Sequence, residues 1–269
     1  MTASGPAALS KSRFRQYARL HQKKFRDEQG LFLAEGFRTV RELCLNMPDD
    51  GMLVAFLVRD GEHEALEFAR RWKEKLFTAG ERECSQLSGT ATPQGVFGVF
   101  RKRKHEPDIA ESDGKQKKKS FVLALDDVQD PGNVGTIMRT AVWFGADTVI
   151  CSSGTADPYN PKTIRSCAGS IYALHHYSVN SLETELLRLS GKGYTIAASS
   201  LDGRDFREFT AWPEKLVLVI GNEANGISLP VQALAQRLVR IPHAGEKPRV
   251  ESLNAAVSAG ILMERMFMR

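Results

Sequence analysis

Long apolar runs are missing from this chain of 269 residues. The segments FVLAL at 121–125 and LVLVI at 216–220 are strand-length, well short of the roughly 20 residues that a membrane-spanning helix needs. The N-terminal MTASGPAALSKSRFRQ lacks the apolar stretch of a secretory signal, so no membrane partner and a cytoplasmic location are expected. Cysteine is sparse as well. Cys44, Cys84, Cys151 and Cys167 never form a CxxC pair, and of the six histidines only His175 and His176 are adjacent. With no HExxH and no zinc-ligand spacing, neither a metal site nor a disulfide framework is expected, and the cysteines read as small core residues. Also absent are a GxGxxG after a strand, a GxxxxGK[ST] and a GxSxG, which weakens the case for an ordinary dinucleotide enzyme, a P-loop NTPase or an α/β-hydrolase. What is present fits a folded protein: 42% hydrophobic and 26% charged residues exclude disorder along the whole chain.

Positive charge is in excess and unevenly placed. The net charge is +5, yet residues 1–30 alone balance at +5 and residues 101–119 at +4. The remainder of the chain is therefore net acidic. An excess concentrated in an arm and a linker fits a polyanionic partner, nucleic acid above all, with affinity that falls as salt rises.

The segment RKRKHEPDIAESDGKQKKKS at 101–120 has only two aliphatic residues and cannot bury enough apolar surface to order itself, so 102–120 reads as a linker. Before it lie a basic N-terminal helix or arm at 1–30 and a small α/β domain at 31–101, with strands expected at 31–34, 52–58 and 96–100 and helices around 36–46 and 62–73. After it, near-continuous apolar runs at 121–125, 148–151, 195–198, 216–220 and 238–241 read as strands covered on both faces. Helices expected at 132–145, 181–190, 230–237 and 252–267 complete the pattern of a mostly parallel sheet with crossover helices over 121–269.

Ligands of such sheets sit at the carboxyl ends of the strands, and three loops there are unusual. In DDVQDPGNVG, Asp130 and Pro131 suit a helix start; Asn133, Thr136, Arg139, Thr140 and Trp143 then share the side of that helix opposite Val134, Ile137, Met138 and Ala141. An arginine on that face suits a phosphate. In GNEANG the glycines permit close backbone approach to a planar ligand. In the third loop Ser252 reads as the cap of the last helix, beside Leu253 and Asn254.

Taken together, DDVQDPGNVGTIMRTAVWFGAD, LVLVIGNEANGIS and IPHAGEKPRVESLNAAVSAGI resemble, in order, the three motifs of the SpoU (TrmH-type) branch of the SPOUT RNA methyltransferases. NPKTIRSCAGSIYAL resembles the segment between the first two. FLAEGFRTVREL with TPQGVFGVF is similar to the family's RNA substrate-binding domain. The resemblance implies transfer of a methyl group from S-adenosyl-L-methionine to a ribose 2′-hydroxyl of structured RNA, by an α/β domain with a deep C-terminal trefoil knot, usually as a homodimer. It implies catalytic roles for Asn133, Arg139, Glu223, Ser252 and Asn254, cofactor contacts around Gly221, Ile241 and Leu253, and an RNA-facing position for Lys162 and Arg165. An arginine is too weak an acid to serve readily as a base. Arg139 is therefore expected to stay charged, hold a phosphate and stabilise the developing alkoxide. The stretch from His243 to Glu251 is longer than is typical of the family and carries Glu246, Lys247, Pro248 and Arg249. The separate N-terminal domain favours ribosomal over transfer RNA. A tRNA 2′-O-methyltransferase, a non-catalytic RNA-binding or ribosome-assembly protein on the same fold, and a nicotinamide oxidoreductase are the alternatives.

Overall fold

A computed structural model describes residues 7–103, 119–244 and 250–268. The expected linker therefore falls largely outside the described residues, as do Glu246, Lys247, Pro248 and Arg249. The described chain forms two units: one within Met1–Lys104 together with Asp157–Ala173, the other within His105–Ala156 together with Leu174–Arg269. Among the described residues no helix is long and apolar enough to cross a membrane.

The first unit begins with β1 (Ala7–Ala8), α1 (Lys11–Ala18) and α2 (Lys23–Gln29). It continues through β2 (Leu31–Glu35), α3 (Phe37–Asn46), β3 (Leu53–Arg59), α4 (His63–Ala69), β4 (Leu76–Ala79), α5 (Glu81–Leu87) and β5 (Val96–Arg101). The strands form a mixed sheet in the order β1-β4-β3-β5-β2. The basic arm expected at 1–30 is no separate piece. Ala7 and Ala8 pair with Phe77 and Thr78 of β4, and Leu9, Phe14, Tyr17 and Leu20 pack into the same core as Leu33, Leu57 and Phe97. The cations Lys11, Arg13, Arg15, Arg19, Lys23 and Lys24 stay exposed on its outer side, as the apolar spacing of the helix requires.

The second unit comprises β6 (Ser120–Asp126), α6 (Pro131–Trp143), β7 (Thr148–Cys151), β8 (His175–Ser178), α8 (Leu182–Gly191), β9 (Thr195–Asp205), β10 (Lys215–Gly221), α9 (Leu229–Ala233), β11 (Arg237–Arg240) and α10 (Ala255–Phe267). Between β7 and β8 the chain contributes α7 (Pro161–Cys167) to the first unit. The strand order is β11-β9-β10-β6-β7-β8, and every pairing is parallel. All seven residues of β6 are buried, because helices cover both faces of a parallel sheet. From β6 the chain runs outward to β7 and β8, then returns on the other side through β9 and β10. The strand order therefore reverses between β6 and β10, where Asp126 and Gly221 lie in register. Such a switch point opens a crevice at the carboxyl ends. α10 packs on α6 and stacks Phe267 on Phe121 of β6, with ring centroids 4.6 Å apart.

Two departures from the expected boundaries have clear causes. Lys102 and Arg103 belong to the first unit and not to a linker: Lys102 Nζ pairs with Asp27 at 2.6 Å, and the Arg103 amide donates to Tyr159 Oη at 3.0 Å. Residues 157–173, expected within the catalytic domain, pack with the first unit. There Arg26, only 2% exposed, makes a two-nitrogen contact to Asp157 Oδ2 at 2.6 and 3.1 Å and donates from Nη1 to the carbonyls of Leu20 and His21. Losing one partner of so buried a pair typically costs about 3–5 kcal/mol. All four cysteines are free and buried; burial pushes the Cys44 thiol up to about 12 and that of Cys167 up to about 11, as inert core residues require.

Candidate active site

The loops that follow β6, β10 and β11 meet at the switch point through one chain of hydrogen bonds. α6 starts where Asp130 Oδ1 accepts from the Asn133 amide at 2.9 Å and Pro131 fills the first turn, since proline gives up a donor that is unpaired there anyway. This start fixes Asn133 in the first turn. Its Nδ2 donates to Glu223 Oε1 at 2.7 Å, and its Oδ1 accepts from Asn254 Nδ2 at 3.0 Å. Asn254 Oδ1 in turn accepts from the amides of Ala256 and Val257 at the start of α10. The ends of the chain dictate its direction. An ionised carboxylate only accepts and helix-start amides only donate, so each asparagine has one workable orientation.

Asn254, and not Ser252, caps the last helix. Both residue types cap well, but Ser252 lies two residues too early and is exposed, as is Leu253. Arg139 projects from α6 on the exposed side that the helical spacing predicts and bonds to none of the described residues. Thr136 and Trp143 share that exposed side.

The loop after β10 is folded tightly on itself. Asn222 and Gly226 exchange backbone hydrogen bonds at 2.8 and 2.9 Å. A Cβ on Gly221 would overlap the Gly226 carbonyl and lie 2.5 Å from the Ile227 nitrogen, so only glycine fits. Asn222 Oδ1 accepts from the amides of Ala224 and Asn225 at 2.8 and 3.0 Å, which fixes the turn carrying Glu223. Ser228 N donates to Asp126 Oδ2 at 2.8 Å and closes the far end of the loop onto β6. Ile241 follows β11 directly and is half-buried.

Lys162 and Arg165 lie elsewhere, on α7 in the first unit. Lys162 is exposed. Arg165 is 28% exposed and places Nη1 3.9 Å from the buried carboxylate of Glu35, which also accepts from Ser88 Oγ and the Gly89 amide. Arg165 thus helps support the loop at 88–90.

Some residues that shape the site escaped the sequence reading. Asp126, Asp127, Asn222 and Ser228 hold the loops in place, and the acidic doublet closing an apolar run was the available signal for the first two. Residues 199–203 of β9 leave the ladder, because Ala198 pairs with Leu238 while Arg204 pairs with the very next residue, Val239. Gly203 permits this excursion: a Cβ there would lie 2.6 Å from the Val239 nitrogen. Nothing in the residue pattern announces it. Among the described residues no group of His, Cys, Asp or Glu could hold a metal ion.

These features define a parallel α/β enzyme fold with a polar cluster built from the carboxyl-terminal loops of three strands. Residues 120–264 match the model of the SpoU rRNA methylase family, and residues 11–98 match an MRM3-like substrate binding domain. The chain belongs to the SpoU methylase family and is an RNA methyltransferase. It is 31% identical to the 23S rRNA (guanosine(2553)-2′-O)-methyltransferase RlmP of Bacillus subtilis, over 93% of each chain. Among solved structures, the AdoMet-bound rRNA methyltransferase of Sinorhizobium meliloti superposes with a TM-score of 0.78 at 29% identity, covering 96% of this chain and 95% of that one. A TrmH-family protein of Porphyromonas gingivalis gives 0.78 at 28% identity, covering 96% and 98%.

Proposed function

We propose that this enzyme methylates a ribose 2′-hydroxyl of ribosomal RNA, in the cytoplasm, with S-adenosyl-L-methionine as methyl donor. The observation that carries the reading is the Glu223–Asn133–Asn254 chain, which ties three strand-end loops into one polar site, with Arg139 exposed on the same helix as Asn133. RlmP is named for 2′-O methylation of 23S rRNA and the Sinorhizobium protein for bound AdoMet; both align with nearly the whole chain.

The residues present suit that cofactor. At Gly221 the loop is so compact that the backbone of Gly226 and Ile227 leaves no room for a side chain, and Leu253, next to Asn254, is exposed. Gly221, Ile241 and Leu253 would hold the cofactor, largely through backbone. When bound, it supplies an electrophilic methyl group on a sulfonium. Arg139 stays cationic, grips the phosphate next to the target nucleotide and stabilises negative charge developing on the ribose oxygen. Asn133 and Asn254, locked by Glu223 and by the start of α10, orient the nucleophile, and Ser252 lines the approach. Lys162, Arg165 and the exposed cations of α1 and α2 face RNA.

The deep trefoil knot belongs to the same proposal. β11 lies at the edge beside β9, whereas α10 packs on α6 next to central β6. A homodimer built on α6 and α10 would cover Trp143, 83% exposed, and Val257, 50% exposed, apolar surface that a monomer would leave in water.

The test is transfer of labelled methyl to ribosomal RNA by the wild type and by Arg139→Lys. Lysine keeps the charge and loses the planar fork, so the variant is expected to retain only a few per cent of kcat. Near-normal turnover would contradict the role assigned to Arg139.

A further inference from the structure

We infer that Asp127 is a positioning residue for methyl transfer, holding the loop after β10 so that Glu223 remains bonded to Asn133; the inference rests on the site proposed above. Asp127 has φ +60°, a conformation that glycine adopts freely and that other residues, Asn and Asp least reluctantly, rarely take. A glycine would satisfy the backbone, so the carboxylate has to be explained by what it touches.

It touches a great deal. Asp127 Oδ2 accepts from Gln129 Nε2 at 3.1 Å and from Asn222 Nδ2 at 3.2 Å. The Asp127 carbonyl accepts from the same Asn222 Nδ2 at 2.8 Å, and its amide donates to Ser152 Oγ at 2.9 Å. The other carboxylate oxygen presses on Gly154, where any Cβ would overlap it. Asp127 thereby joins the ends of β6, β7 and β10 at one point.

The consequence runs through Asn222. Two acceptors on Asp127 seize its Nδ2, which leaves Oδ1 facing the amides of Ala224 and Asn225. Those amides directly follow Glu223 and set the direction of its side chain toward Asn133. Asp127 never enters this chain itself. It acts by keeping the turn in the one shape that extends the chain, and its left-handed backbone aims the carboxylate at the neighbouring loop.

Steady-state kinetics on the full-length enzyme with ribosomal RNA test this. Asp127→Gly, which keeps the backbone shape and removes the carboxylate, is expected to lower kcat about 10²-fold and to leave the KM for RNA and the melting temperature near wild type. Asn222→Ala cuts the same tie from the other side, with the native backbone at position 127, and is expected to match it. Asp127→Asn keeps an oxygen acceptor and tolerates the positive φ, and should restore most of kcat. In a Glu223→Ala background Asp127→Gly should add less than about a twofold loss, because residues acting through one another are not additive. Normal turnover by Asp127→Gly, an Asn variant as poor as the Gly variant, or a full additional loss in the Glu223→Ala background would each overturn the inference alone. A wild type that binds RNA and transfers no methyl group would overturn the proposed function and this inference with it.

Discussion

Asn133 carries more of the site than any other side chain, because it is the only one that both donates to Glu223 and accepts from Asn254. Replacing it by aspartate removes the donor and sets two carboxylates side by side, a repulsive arrangement. Asn133→Asp is therefore expected to lose about 10²-fold in kcat, the scale of a misplaced reacting group, with folding intact; initial rates and a thermal melt check both. Asn133, Glu223 and Asn254 were singled out in the sequence by the motif resemblance. Their mutual bonding was not, since 90 and 121 residues separate the partners. The cap of α10 was misplaced because Ser252 and Asn254 cap equally well by type, and the residue pattern does not mark that the helix starts only at Ala255. The positive φ of Asp127 was invisible because no glycine marks it.

At the scale of elements, the loop after β10 makes the sharpest prediction. Gly221→Ala places a methyl group into the Gly226 backbone, which has no flexible end to move aside. The turn must open, and calorimetry is expected to show S-adenosylmethionine binding weakened at least about tenfold, the equivalent of 1.4 kcal/mol. Binding at wild-type strength would show that this turn does not hold the cofactor. The long apolar strands were readable because a parallel sheet covered on both faces demands unbroken apolar runs. Short β4 and β8 were missed; β8 reads HHYS and carries no such run. The helix expected at 230–237 ends at Ala233 because Arg237 already enters β11. Likewise the helix expected at 62–73 gives way after Ala69 to a tighter turn, with Trp72 in a non-helical conformation.

For the molecule as a whole, composition and the charged segment pointed to domains that follow one another along the chain, whereas the first of the two units also takes in Asp157–Ala173. Membership of Asp157–Ala173 was beyond the sequence, because its anchor, the Arg26–Asp157 pair, spans 131 residues. Assembly is the prediction that belongs here. If α6 and α10 form the dimer face, Trp143→Glu places a charge at its most exposed apolar point and should yield monomers in sedimentation equilibrium, whereas Leu187→Glu, at an exposed position of α8, should leave the dimer intact. A wild-type monomer would refute the assembly and leave the fold untouched.

The most direct test of the central claim is the position of the transferred methyl group. Ribosomal RNA from a strain lacking this protein, incubated with the purified enzyme and labelled S-adenosylmethionine, is hydrolysed in alkali. A ribose methyl blocks cleavage of its own phosphodiester, so the label is expected in one alkali-resistant dinucleotide and to fall to background with Asn133→Asp. Label recovered on a base, or undiminished in that variant, would contradict the account.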